Sequence, residues 1–465
     1  MAADRPVVDP RTGDVIERVT MLPAEGVAGV ARTALTAFGP WAATPLAERS
    51  RTVAALGDAL AAMTPGLARE YSREQGKTVA EADAELIRAA ETFRWASACA
   101  AHAARPGTVP DRDGLARTVL VEPVGPVLAI VPWNFPAVVL ARKLGPALAM
   151  GCPVVVKGPE QTPRLMAAFA AAAVQAGVPP GVVQIVAADP APTRALIGRP
   201  EFRHITFTGS SRVGRLVAAA AAENLTPCTL ELGGHAPAIV TADADLDLAA
   251  ARLAAAKFGS AGQSCGAPSR FLVARDVCEP FVRRLAGAAP ALDDEPRGAG
   301  RAEARMGPLQ NAERRAAVHA LVVDAVERGA RLRLGGRLPG TPGCYYPATV
   351  LTDVPEDARI MSEEPFGPVA PVLGYDDEEH AVALANATAY ALSAYVFGAT
   401  GRAASIAARL NAGSVSVNSA PGAAPDVPLG GRDASGYGYE GGIDGMRAFT
   451  RLKIRQQPRT AGPDD

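Results

Sequence analysis

An excess of charge of either sign is missing from this chain. Its 465 residues carry 47 lysines and arginines against 48 aspartates and glutamates, a formal net charge of −1 at pH 7. That balance recruits neither nucleic acid nor an anionic membrane, so neither is expected as a partner. Cysteine is sparse: Cys99, Cys152, Cys228, Cys265, Cys278 and Cys344 are scattered, with no Cys-x-x-Cys pair and no histidine at ligand spacing. A disulfide framework would be denser and a zinc site would cluster its ligands, so no metal site is expected. Most of these thiols read as small buried apolar groups. The uncharged runs of membrane-spanning length, such as 165–188 and 381–401, are broken by Gln, Gly, Pro, Asn or Thr, so no membrane span is expected. The start, Met1-Ala-Ala-Asp-Arg-Pro6, lacks the basic-then-apolar order of a secretory signal, so the expected setting is a reducing cytoplasm. What the chain does have is length and apolar content. With 48% hydrophobic and 20% charged residues, it suggests two or three globular domains.

Periodicity separates two regions. Val27, Val30, Ala34, Leu35 and Phe38, then Val53, Leu56, Leu60 and Met63, fall at helical spacing. Residues 79–104 continue that pattern, so the first hundred residues are expected to be mostly α. Arg117–Pro123 reads as an extended excursion. From there strands (125–133, 153–157, 182–186, 204–208) alternate with helices (137–150, 163–176 and one opened by Gly209–Gly214). A second alternating block follows Gly233-Gly234. Its strands are 236–240, 270–274, 370–373, 393–397 and 413–417, and its helices 244–258, 279–288 and 311–329. Such alternation predicts an α/β protein whose parallel sheets have covered faces. The stretch 292–307 reads as a surface loop, and the tail from Pro458 as disordered.

One segment, Phe258-Gly-Ser-Ala-Gly-Gln-Ser-Cys-Gly266, offers two nucleophiles. Gly262-Gln-Ser-Cys-Gly266 fits the Gly-x-Ser-x-Gly elbow of serine hydrolases, which needs a strand running into it. What precedes it, Leu253-Ala-Ala-Ala-Lys-Phe258, is built of helix formers, and the later histidines, His319 and His380, read as ordinary surface groups. Cys265 is the better nucleophile. A thiol attacks an aldehyde to give a thiohemiacetal that loses hydride and becomes a thioester. Asn134, in Trp133-Asn-Phe-Pro136, supplies a side-chain amide suited to an oxyanion. Glu231, a lone carboxylate in Leu230-Glu-Leu-Gly-Gly234, suits a base with a raised pKa. The small residues around Cys265 suggest room for an aldehyde and a nicotinamide ring.

Two places suit a dinucleotide. Strand 204–208 runs into Gly209-Ser-Ser-Arg-Val-Gly214 and a helix, where free N–H groups could meet a pyrophosphate. Lys157 and Glu160 follow the strand Val154-Val-Val, placed for a ribose diol. A glutamate there repels a 2′-phosphate, so NAD is expected over NADP.

Together these segments resemble the aldehyde dehydrogenase superfamily along nearly the whole chain. The matching pieces are Pro132-Trp-Asn-Phe-Pro136, Lys157-Gly-Pro-Glu160, Phe207-Thr-Gly-Ser210 and Glu231-Leu-Gly-Gly-His-Ala-Pro237. They continue with Gly262-Gln-Ser-Cys265, Glu364-Pro-Phe-Gly-Pro368 and Ser435-Gly-Tyr-Gly-Tyr-Glu-Gly-Gly442. The resemblance implies a Rossmann-like NAD-binding domain (1–105 and 127–233), an α/β catalytic domain (234–440) and a β oligomerisation flap (106–126 and 446–458). It implies Cys265 as nucleophile, Glu231 as general base and Asn134 as oxyanion donor. Trp133, Lys157, Glu160, Gly209, Ser210, Glu364 and Phe366 are implied to line the cofactor site, and a homodimer or homotetramer is implied as the assembly. The succinate-semialdehyde branch looks most similar, and Arg142 matches one of the arginines with which it binds a distal carboxylate. Gly259 stands where a second arginine is expected, Ala267 where a further cysteine is. A less charged or bulkier aldehyde is therefore expected. A CoA-acylating dehydrogenase and a non-catalytic NAD-binding homologue are the alternatives.

Overall fold

A computed structural model describes residues 4–110, 114–292 and 305–458. The expected loop at 292–307 falls mostly outside these residues, as does the tail past Pro458. Pro458 itself ends a strand, Thr450–Pro458.

Three long helices follow an amino-terminal hairpin: α1 (Val27–Ala43), α2 (Leu46–Gln75) and α3 (Val79–Ala103). The hairpin pairs Asp4–Val8 with Val15–Thr20 and went unread in the sequence, although Gly13, at φ 84°, marks its turn. Helix α2 stops where Gly76 takes a left-handed φ of 96°, a conformation glycine adopts without a side-chain penalty. Helix α3 starts on a capping box: the Glu81 N–H donates to Thr78 Oγ1 at 3.2 Å, and the Thr78 N–H to Glu81 Oε2 at 2.9 Å. Val53, Leu56 and Leu60 of α2, Leu86 and Phe93 of α3, and Leu140 and Leu144 of α4 (Pro136–Ala149) share one buried cluster.

Behind these helices lies a six-stranded sheet. Its order is Gly436–Tyr437, Cys228–Glu231, His204–Thr208, Val127–Ile130, Val154–Lys157 and Val183–Val186. The last five strands are parallel, and only Gly436–Tyr437 runs against its neighbour. Helices α4, α5 (Pro163–Gln175), α6 (Pro190–Ile197) and α7 (Ser211–Ala222) connect or flank them. Both faces are thereby covered, so the strands read as continuous apolar runs such as Val154-Val-Val156.

A seven-stranded sheet forms the second layer, in the order Arg331–Leu334, Thr349–Thr352, Val369–Tyr375, Pro268–Ala274, Ala236–Val240, Ser393–Phe397 and Ser414–Val417. It too is parallel except at one edge, where Arg331–Leu334 is antiparallel. Helix α8 (Leu246–Phe258), capped by Asp245, leads into the Cys265 loop. A third sheet, Thr450–Pro458, Leu115–Pro123 and Gly107–Thr108, is antiparallel. Among the described residues no helix is long and apolar enough to cross a membrane.

Candidate active site

Cys265 lies between a short 3-10 turn, Gly259–Gly262, and the strand Pro268–Ala274. Ser260, Ala261 and Gly262 take successive positive φ values of 48°, 54° and 70°, and the first two carry a steric cost that surrounding contacts must offset. Those contacts are visible. The Ser260 N–H donates to Glu81 Oε1 at 2.7 Å, Gln263 Nε2 to the Ser260 carbonyl at 3.1 Å, and the Gln310 N–H to Gln263 Oε1 at 2.9 Å. The small residues turn out to serve the backbone more than open space. A Cβ on Gly262 would meet the Gly367 carbonyl, and one on Gly234 the carbonyl of Cys265 itself. Only at Gly259, where nothing lies within 4 Å of a built Cβ, is there free room. The elbow reading fails as expected, because a helix and not a strand leads into Gly262. His319 contacts the Tyr346 hydroxyl at 3.2 Å and His380 contacts Glu356 at 3.1 Å.

Asn134 is 8% exposed on the loop between strand Val127–Ile130 and α4, and its Nδ2 donates to the Gln263 carbonyl at 3.0 Å. The loop carrying Asn134 is thereby tied to the loop carrying Cys265. Glu231 ends the strand Cys228–Glu231, is 3% exposed, and neither carboxylate oxygen has a hydrogen-bond partner among the described residues. Burial, then the nearby Glu440, raises its pKa well above the usual carboxylate range, against the pull of Lys143 and Arg142. Dense protein around the Cys265 thiol, then the charges of Glu364 and Glu231, push it up to about 12.

The crevice at the carboxyl ends of the parallel strands holds the other expected residues, the usual place for a dinucleotide in such sheets. A Cβ on Gly209 would strike the Phe207 ring, while the Gly209 N–H donates to the Glu231 carbonyl at 3.0 Å. Ser210 caps α7 by accepting from the Val213 N–H at 3.4 Å. Lys157 Nζ donates to Glu160 Oε2 at 2.9 Å, and Arg5 Nη1 to Glu160 Oε1 at 3.2 Å. Burial opposes ionisation of Glu160, but Lys157 and Arg5 hold its pKa below the usual value. Glu364 accepts from the Gly234 N–H at 3.3 Å, and burial lifts it to about 7. Phe366 stands edge-on to Trp133, with centroids 5.7 Å apart, so the Glu364 loop and the Asn134 loop meet. The start of α7 and the Lys–Glu pair at the neighbouring strand end suit a pyrophosphate and a ribose, with the Gly209 and Val213 N–H groups already engaged within the protein.

The family described as Aldehyde dehydrogenase family matches residues 2–454. The chain belongs to that family. It is an oxidoreductase acting on aldehydes, and the family's oxidant is NAD or NADP. It is 41% identical over 452 residues to 4-(hydroxymethyl)benzenesulfonate dehydrogenase TsaD1 of Comamonas testosteroni, covering 96% of this chain and 93% of that protein. It is 36% identical over 453 residues to 3-sulfolactaldehyde dehydrogenase of Pseudomonas putida, covering 96% and 92%. Among solved structures, succinate-semialdehyde dehydrogenase from Burkholderia pseudomallei superposes with a TM-score of 0.94 at 37% identity, covering 98% of this chain and 95% of that one.

In this aldehyde dehydrogenase Arg142 sits on α4, 3% exposed. Its Nη2 donates to the carbonyls of Ala423 and Ala424 at 2.7 and 3.0 Å, whereas Nη1 is buried with no partner among the described residues. Three site groups went unread in the sequence. Glu440 and Lys143 form a buried ion pair beside Glu231, with Lys143 Nζ also 2.9 Å from Thr206 Oγ1. Arg5 bridges Glu160 and Asp189. Glu440 stood inside the motif Ser435–Gly442, but no local pattern links it to Lys143, 297 positions away.

Proposed function

We propose that this enzyme oxidises a bulky aldehyde bearing one distal anionic group to the carboxylic acid, through a thioester on Cys265. The observation that carries this reading is the buried, unpartnered Glu231 carboxylate sharing one electrostatic site with the Cys265 thiol. Cys265 gives its proton up to solvent water and adds to the carbonyl carbon, which turns the carbonyl oxygen into an oxyanion facing the Asn134 amide. The nicotinamide cofactor, when bound, accepts the hydride that leaves the same carbon. Glu231 then takes a proton from water, hydroxide adds to the thioester, and Cys265 leaves as thiolate with release of the acid. A carboxylate with a raised pKa suits that proton transfer better than an ordinary one. Transfer of the acyl group to CoA would need no water-activating base, which counts against that alternative.

Glu160 between Lys157 and Arg5 favours a ribose 2′-hydroxyl over a 2′-phosphate, so NAD is the cofactor we assign over NADP. Residues 1–105 and 127–233 would form its binding domain, and 234–440 the catalytic one. Arg142 offers its unpartnered Nη1 group to a distal anion, and the open position at Gly259 leaves space for bulk. The relatives named for sulfonated substrates support that pairing of bulk and single charge. The strand Thr450–Pro458, with Leu452 71% and Ile454 63% exposed, supports assembly through the flap as a homodimer or homotetramer. A panel of aromatic and aliphatic aldehydes, with and without sulfonate or carboxylate, tests the reading. Arg142→Met should raise KM for the anionic members roughly tenfold or more and leave neutral ones unaffected. Equal effects on both groups would remove Arg142 from the substrate site.

A further inference from the structure

The first two turns of α3 and Lys77, two residues ahead of it, touch both loops of the reacting pair. Lys77, 2% exposed, forms a buried ion pair with Glu85 of α3. Its Nζ also donates to the backbone carbonyl of Asn134 at 3.1 Å and stands 4.4 Å from the centroid of the Phe135 ring. Glu85 accepts with its other oxygen, Oε1, from the N–H groups of Ala137 and Val138 at 2.9 and 3.3 Å. Those are donors that the start of α4 leaves without helical partners. Tyr71 donates its hydroxyl to Glu85 Oε2 at 2.7 Å. The segment 134–138 is therefore gripped at one carbonyl and two amides. One turn ahead of Glu85, Glu81 holds the Ser260 N–H of the cysteine loop at 2.7 Å. A buried ion pair adds little net stability over well-packed apolar side chains, so its value here lies in direction. The Asn134 amide has two hydrogens. One goes to the Gln263 carbonyl, and the other is left for an oxyanion.

We propose that Lys77 and Glu85 are positioning residues that fix the Asn134 amide against the carbonyl oxygen of an aldehyde bound at Cys265. The proposal rests on the reading of Asn134 as oxyanion donor. Lys77→Met in the full-length protein, alone and combined with Asn134→Ala, tests it by the rate of the first NADH burst, the aldehyde KM and the alkylation of Cys265 by iodoacetamide. Alkylation displaces iodide and builds no oxyanion, so it needs no donor. Asn134→Ala should slow the burst by about 10²–10³-fold. Lys77→Met should slow it by about tenfold or more, leave KM and alkylation nearly unchanged, and add little on top of Asn134→Ala. Glu85→Gln, which keeps an acceptor for Ala137 and Val138 but no charge, should behave alike and replaces Lys77→Met if that variant fails to fold by circular dichroism. An unchanged burst in these variants, or losses that multiply with that of Asn134→Ala, would overturn the proposal. An unchanged burst in Asn134→Ala would instead refute the oxyanion reading beneath it.

Discussion

At the residue scale the thiol of Cys265 is held in its protonated form by protein packed around it and by two carboxylates. Only the thiolate reacts with alkylating agents. With the thiol pushed up to about 12, the thiolate fraction in ligand-free enzyme should grow about tenfold per pH unit through the neutral and mildly alkaline range. Iodoacetamide labelling should follow that slope from neutral pH upward, and a plateau near pH 7 would contradict it. Glu364→Gln removes the larger of the two charges that raise the thiol, so labelling at a fixed pH should quicken. Cys265, Glu231 and Asn134 were legible in the sequence because each is a reactive or polar type set in an apolar or small-residue run. Glu440 and Arg5 were not, because their partners are supplied by remote parts of the chain, and the contact of Lys77 with the Asn134 carbonyl likewise joins separate segments.

At the element scale the cysteine loop depends on backbone geometry that side chains would disturb. Gly262 combines a φ of 70° with a built Cβ lying on the Gly367 carbonyl and the Pro368 nitrogen. Gly262→Ala should cost about 2 kcal/mol or more in urea unfolding and lower turnover with it. Wild-type values for both would show that the loop relaxes freely. Helix α3 was readable over its whole length and the middle of α2 from Val53 to Met63, since apolar residues recur there at helical spacing. Short elements were not. The strand Cys228–Glu231 and helix α6 span one or two turns' worth of chain, too few residues for a period to show. The small residues around Cys265 were read as room for an aldehyde and a nicotinamide ring, whereas Gly262 and Gly234 are required by close backbone and only Gly259 of the three faces open space.

At the scale of the whole molecule, loops from two largely parallel sheets meet where Glu231, Cys265, Asn134 and Glu364 converge. The alternation of strands and helices foretold the α/β architecture, whereas strand order depends on crossovers that no local pattern encodes. The flap's outer strand exposes Leu452 and Ile454. Leu452→Asp with Ile454→Asp should shift the mass seen by light scattering toward the monomer, and an unchanged mass would place the interface elsewhere. The central claim is that aldehyde oxidation runs through Cys265. It is tested most directly by NADH formation from the aldehyde panel in wild-type enzyme and Cys265→Ala, with NAD binding measured on both. The expected result is turnover of at least one anionic aldehyde by the wild type, none by Cys265→Ala, and NAD bound by each. Turnover that survives Cys265→Ala would contradict it.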